Sequence, residues 1–295
     1  MTQPDTVNGK AVDAVPRLFA ALVDDAGLFP PERLPIPVAV ARHRADTAAA
    51  HPVLTQRFLF PASVLDELRG HLAPDDRWRI GLIVDVPLEQ LGDVATTVRR
   101  DPRLRLETVE LRLPDGEPAA SVERALAAIN PQDGEATCIE LSPAAPGWET
   151  ALAAIAARGA WAKVRCGGLE AAAFPTAAQL AAFLIGAADL GVPFKATAGL
   201  HHAVRYRDPA TGFDHHGFLN LLLATARAGE GADAADVETA LLIGDAHDLA
   251  DSVRAVSSAS ADLARARFRA YGSCSTSEPV EDLTQLGLIG NGEQR

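Results

Sequence analysis

Short apolar runs alternate with amphipathic stretches along most of this chain, and that rhythm restricts its possible folds more than any other feature. RFLF (57–60), RIGLIVDV (79–86), LETVELRL (106–113), TCIEL (137–141), WAKVRC (161–166) and VPFKAT (192–197) read as strands. Helical patterns lie near 63–73, 87–100, 119–129, 147–158 and 176–190. Repeated strand–helix units imply a parallel sheet with right-handed crossovers. Upstream, residues 1–12 read as a frayed leader, 12–25 as an apolar helix, GLFPPERLPIP as a proline-stiffened loop and 36–50 as a second helix. Downstream, 213–229, 234–244 and 246–266 read as consecutive helices, followed by a strand over 267–274 and a short helix over 279–287. Six strands are clear, 267–274 adds a weaker one, and an N-terminal strand near 20–24 would complete eight. A doubly wound dinucleotide fold would carry a Gly-rich phosphate loop after an early strand, and none is present. The expected fold is α/β, a (β/α)8 TIM-like barrel, full or imperfect, with extra helices after the sixth strand. It is expected as one domain over 1–295, with 1–50 a helical segment packing on the barrel.

Composition narrows the function. In 295 residues, 48% are hydrophobic, so a large core can be buried. A net charge of −12 argues against a nucleic-acid partner and against adhesion to an anionic membrane. A small-molecule substrate remains, and homo-oligomerisation stays open. Cys138, Cys166 and Cys274 are too far apart for a CxxC pair, so neither a disulfide framework nor a zinc knuckle is indicated. No apolar signal core and no membrane-length apolar run is read, and a reduced, cytoplasmic setting is expected.

The strands are not uniformly apolar. Glu110 and Arg112 alternate with Val109, Leu111 and Leu113; Glu140 opposes Ile139 and Leu141; Lys163 and Arg165 oppose Ala162, Val164 and Cys166; Lys195 and Thr197 oppose Phe194 and Ala196. Asp85 opposes Leu82, Val84 and Val86. Side chains alternate between the faces of a strand, so the apolar set should meet the helices and the polar set should point into the barrel. An antiparallel sheet with one wet face would give the same alternation, but a helix between successive strands weighs against it. Charges inside a barrel are costly unless paired or used. Pairing alone would give Glu110–Arg112 and Glu140–Lys163. Lys163, Arg165 and Lys195 nevertheless sit toward the C-terminal strand ends, where barrel active sites are built.

A buried amine beside another cation can serve as a nucleophile, so Lys195 is a candidate, with Lys163 supplying the second charge and Glu140 or Glu110 moving protons. The same residues could instead bind an anion, with Arg165 as a bidentate fork. PFKATAGLHH resembles, over about ten residues, the Schiff-base strand of deoxyribose-phosphate aldolase and related class I aldolases, where a strand-end lysine precedes a small, Gly-containing turn. That resemblance implies covalent chemistry at Lys195. More broadly, the chain resembles an uncharacterised bacterial family that carries AGLFPP (26–31), KATAGLHH (195–202) and a GSCS…EP segment (272–279).

His201–His202 and His215–His216 offer imidazoles for a divalent metal, with Glu140, Glu110 and Asp85 as partners, although neither pair has a dedicated ligand spacing. Without a metal, His201 or His202 could act as a general acid or base. The turn from Gly272 through Ser273 to Ser275 offers donors to an anion, Cys274 reads as a buried spectator, and Gly167–Gly168 permits close backbone approach. The first functional reading is a lyase or aldolase-type enzyme for a small anionic carbonyl compound. Lys195 would be nucleophile or electrostatic catalyst, Arg165 the clamp, and Glu140 or His201 the proton carrier. No cofactor is required. The alternatives are a metal-dependent hydrolase or isomerase and a non-catalytic ligand-binding protein.

Overall fold

The computed structural model describes residues 16–290, and the leader at 1–12 lies outside them. Eight parallel strands close into a barrel: β1 (Val23–Asp25), β2 (Leu54–Pro61), β3 (Trp78–Ile83), β4 (Leu104–Arg112), β5 (Ala136–Leu141), β6 (Trp161–Arg165), β7 (Phe194–Thr197) and, after a small hairpin, β10 (Phe268–Ser273). β1 lies between β10 and β2, so the first and last barrel strands meet in the sheet. Around it run α1 (Ile36–Ala49), α2 (Leu65–His71), α3 (Leu88–Arg100), α4 (Pro118–Ile129), α5 (Trp148–Ala157) and α6 (Ala177–Asp189), one after each strand. The fold is a TIM-like barrel, as the strand–helix rhythm predicts.

The outward faces are apolar because helices cover them. Phe194 on β7 packs edge-on against Phe183 of α6 at 5.4 Å and stacks on Phe268 of β10 at 5.1 Å. Tyr271 stacks on Phe218 at 5.2 Å. The stretch 171–189 has the length and composition of a membrane span, which the sequence reading missed. Here Pro175 separates a 3-10 turn at Ala171–Ala173 from α6, and Leu180, Phe183 and Leu184 are buried.

Three expectations are corrected. Within 12–25, the described part is a turn followed by β1 rather than a helix, so the N-terminal segment builds the barrel wall. The helix expected from 213 begins at Phe218, because Asp214–His215 (β9) pairs antiparallel with Tyr206–Arg207 (β8). Asp208 shapes that hairpin by accepting from Ala210 N at 2.9 Å and Thr211 Oγ1 at 2.9 Å. The single helix expected over 246–266 is two, α9 (Ala246–Arg254) and α10 (Ser258–Arg267), joined to the hairpin by α7 (Phe218–Gly229) and α8 (Ala234–Leu242). Ser257 makes the break by capping Ser260 N at 3.1 Å, a start signal inside an otherwise continuous helical pattern. The chain closes with α11 (Glu278–Gln285).

Gly81 on β3 faces the barrel interior, where a Cβ would lie 2.4 Å from Leu59 Cδ2 and 2.6 Å from Thr108 Oγ1. Gly81→Ala is therefore expected to lower stability by about 1–3 kcal/mol through overpacking. A lowered urea midpoint at unchanged m-value would show this, and an unchanged midpoint would mean that the interior yields.

Candidate active site

The polar strand faces do meet inside the barrel, as a ladder of alternating charge. At its N-terminal end Arg79 reaches Glu107 at 2.7 Å, and Arg57 joins Glu107 at 3.1 Å to Asp24 at 2.9 Å. Asp24 contacts Lys195 Nζ at 2.5 Å, and Lys195 also pairs with Glu110. Glu110 bonds Lys163 at 3.1 Å, Lys163 approaches Glu140 at 3.5 Å, and Arg165 reaches Glu140 at 3.0 Å. Thr55 and Thr108 fill remaining acceptor positions on Asp24 (2.6 Å) and Glu110 (3.1 Å).

Strand register explains the assembly. Lys163 on β6 lies beside Lys195 on β7 and Glu140 on β5, while Arg112 on β4 lies beside Glu140. Glu110 does not balance Arg112. The Arg112 side chain is 80% exposed and approaches Glu140 at 3.7 Å. Glu110 instead serves the two lysines.

The lowered pKa expected for Lys195 is reversed. Burial alone would lower it, but the charges of Asp24 and Glu110 outweigh that and raise it, so the side chain is a fixed ammonium. Burial would likewise raise Glu110, yet Lys195 and Lys163 hold it at about 2. Glu140 is lowered too, as Lys163 and Arg165 outweigh its burial.

Above the ladder, at the C-terminal strand ends, lies a cavity of 1580 Å³. Glu110, Glu140, Lys163, Arg165 and Thr197 line it, whereas Lys195 and Asp24 are not part of its wall. A 420 Å³ annex toward Trp148 shares Arg112, Arg165 and Glu140. One side is closed by Phe29, Pro30 and Pro31 of the AGLFPP loop. That loop is held by Asp25, which accepts from Gly27 N (3.0 Å) and Arg42 (2.5 Å) and meets His43 Nδ1 at 3.1 Å. His43 is buried against Phe58 and Trp78.

The remaining candidates separate. Asp85 also lines the cavity but lies beyond the end of β3 and is occupied by Ser63 N (2.9 Å) and Oγ (2.5 Å). Ser273 is buried at the rim, and its Oγ has no partner among the described residues. The KATAGLHH turn passes through positive φ at Ala198 and Gly199. A Cβ on Gly199 would sit 2.8 Å from Cys166 O, so the close approach that Gly167 and Gly199 allow is between two loops. His201 lines the cavity with Nδ1 4.0 Å from Cys274 Sγ. Burial, then neighbouring histidines, lower the His201 pKa, and burial raises that of Cys274.

The His201 and His215 rings lie 6.0 Å apart and both line the cavity, while His202 and His216 turn to other partners. His202 is exposed, 3.6 Å from Asp282; His215 lies 3.3 Å from Gly199 O; His216 is buried against Pro175 O at 2.8 Å. Among the described residues no group of three or more His, Cys, Asp or Glu side chains is placed to hold a metal.

Asp24 and Arg57 are not among the expected site residues, although Arg57 opens the expected strand 57–60 and Asp24 lies in the expected N-terminal strand near 20–24. A further signal was available in the composition: the chain has 24 arginines but only three lysines, Lys10, Lys163 and Lys195. Comparison with protein-family models, curated proteins and solved structures finds no match in any of the three.

The ladder makes stability depend on acid. Because the folded pKa of Glu110 is depressed to about 2, its contribution is present above the ordinary glutamate pKa and is lost as pH falls from there toward 2. Unfolding free energy should drop across that window, and Glu110→Gln should flatten the slope. At pH 7 that variant should lose about 3–5 kcal/mol, since two buried ammonium groups lose a carboxylate. Equal stability of the variant and the parent would mean that the ladder contributes nothing net.

Proposed function

We propose that the protein is an enzyme acting on a small anionic carbonyl compound in the C-terminal cavity, by lyase or aldolase-type chemistry. Lys163 supplies the amine, and Lys195 acts as a fixed electrostatic partner. The observation that carries this reading is the placement of the two barrel lysines. A static ion pair in this chain is usually made by arginine, which is always charged and forks onto carboxylates. Lys163 and Lys195 are the only lysines among the described residues, and they sit side by side on β6 and β7. A group that can lose its proton suits chemistry better than scaffolding.

Lys163 faces the cavity while Lys195 is pinned behind it, so the nucleophile shifts by one strand from the residue that the aldolase-like turn suggested. Glu110 and Glu140, held ionised by the cations around them, are weak bases that stabilise the cationic iminium, so the Lys163 proton leaves to solvent in the cavity. The free amine then adds to the substrate carbonyl carbon. A solvent proton returns to the carbinolamine oxygen, which leaves as water, and the resulting iminium takes up the electron pair of the Cα–Cβ bond as the β-hydroxyl loses its proton and the β-carbon departs as a carbonyl compound. The enamine left behind is reprotonated at Cα, and hydrolysis of that iminium restores the amine. Arg165, with Arg112 beside it, clamps the anionic end, and His201, neutral at pH 7, is a proton acceptor at the rim. A cytoplasmic setting belongs to the same reading, supported by three unpaired, buried cysteines.

Borohydride reduction with a panel of aldehydes and 2-oxo acids, followed by peptide mapping, tests this directly because only three lysines can react. An adduct on Lys163 that disappears in Lys163→Met is expected. Arg165→Ala should weaken anionic substrates by about 1.5–3 kcal/mol, read in KM. No adduct with any substrate, or an adduct confined to Lys10, would overturn the covalent mechanism.

A further inference from the structure

A second polar crevice, of 420 Å³, opens at the opposite, N-terminal rim of the barrel. It lies under β4–β6, where the segments following α4 and α5 return to the sheet, and Arg57, Arg269, Trp161 and Thr137 are among its walls. Its carboxylates are engaged: Glu107 holds Arg57 and Arg79, and Glu135 holds Arg99 at 2.6 Å. Its cations are not all matched. The Arg269 guanidinium lies 5.3 Å over the Trp161 ring, with no carboxylate partner among the described residues. Behind it, Arg265 is spent on carbonyls, Phe268 O at 2.5 Å, Ala21 O at 2.9 Å, Arg269 O at 2.9 Å and Ala20 O at 3.1 Å. Burial, and then the charge of Arg269, bring the Arg265 pKa down to about 10. Thr137 is 3% exposed, and its Oγ1 has no hydrogen-bond partner among the described residues.

A crevice with surplus positive charge, an orphaned hydroxyl and apolar walls is suited to one chemistry. We propose that it binds a small organic oxyanion, a carboxylate or phosphate monoester on an apolar body. Arg269 makes the charged contact, Thr137 Oγ donates a neutral hydrogen bond, and Trp161, Leu126 and Pro131 hold the apolar part. The site is separate from the catalytic mouth, since the ladder of ion pairs fills the barrel between them.

Titrating the full-length protein with benzoate and with phenyl phosphate, by calorimetry and by tryptophan fluorescence, tests the assignment. Arg165→Gln silences the other mouth, so anion binding that survives in this variant is expected at the N-terminal rim. In that background Arg269→Gln should weaken binding about tenfold or more, as loss of a charge-assisted contact does. Thr137→Val should weaken it by a smaller factor, and the tighter of the two probes identifies the head group. The proposal is overturned if saturable binding vanishes with Arg165→Gln, or if it persists unchanged in both Arg269→Gln and Thr137→Val.

Discussion

Everything inside this barrel depends on Lys195 being held between Asp24 and Glu110. Its ammonium is almost fully enclosed, so the charge survives only because two carboxylates from other strands close on it. The same contact ties β7 to β1 on one side of the barrel and to β4 across the interior. Most barrels fill this space with branched apolar side chains. Here the middle of the interior is ionic, and the apolar packing lies outside, between strands and helices. Removing one member would leave its neighbours charged and unmatched, which is why such networks tolerate single substitutions poorly.

That contact also divides labour between the two lysines. Lys195 is denied both a lone pair and access to the cavity, and it fixes Glu110 as an anion. Glu110 then presents its other oxygen to Lys163, which does reach the cavity. Within a chain of net charge −12, three cations converge on the carboxylate of Glu140, a local cluster of positive charge on a cavity wall that Asp85, Glu110, Asp115 and Glu170 also line.

The fold was legible where strand and helix signals were long and periodic. Alternation alone placed Glu110, Glu140, Lys163, Arg165 and Lys195 on one inner surface, because period two leaves no other option once helices cover the outside. It failed where regularity failed. β1 is three residues long and continues an apolar stretch, Leu18–Val23, that reads as helix as readily as strand. Opposite Asp24 the β2 register is irregular, and Gln56 adopts a positive φ of 59°. That irregularity lets Thr55 and Arg57 reach the same carboxylate, a convergence that no spacing rule anticipates. The Asp25–Arg42–His43 clamp was equally hidden, since it joins a strand to a helix face across a loop. Ser257 shows the opposite case: its capping signal was present in the sequence but was overridden by the helical pattern around it.

The position of β1 bears on how the chain must be made. Asp24 leaves the ribosome early, yet its partners Lys195 and β10 are synthesised some 170 to 250 residues later. Until then the first strand has an unpaired edge, and the central ammonium lacks half of its compensation. Closure of the barrel and neutralisation of its core are thus a single late event, joined by contacts of very long sequence separation, which places this chain among slow folders. A nascent chain cut short before residue 268 would hold seven of its eight barrel strands in order and still lack the β10 edge that β1 requires.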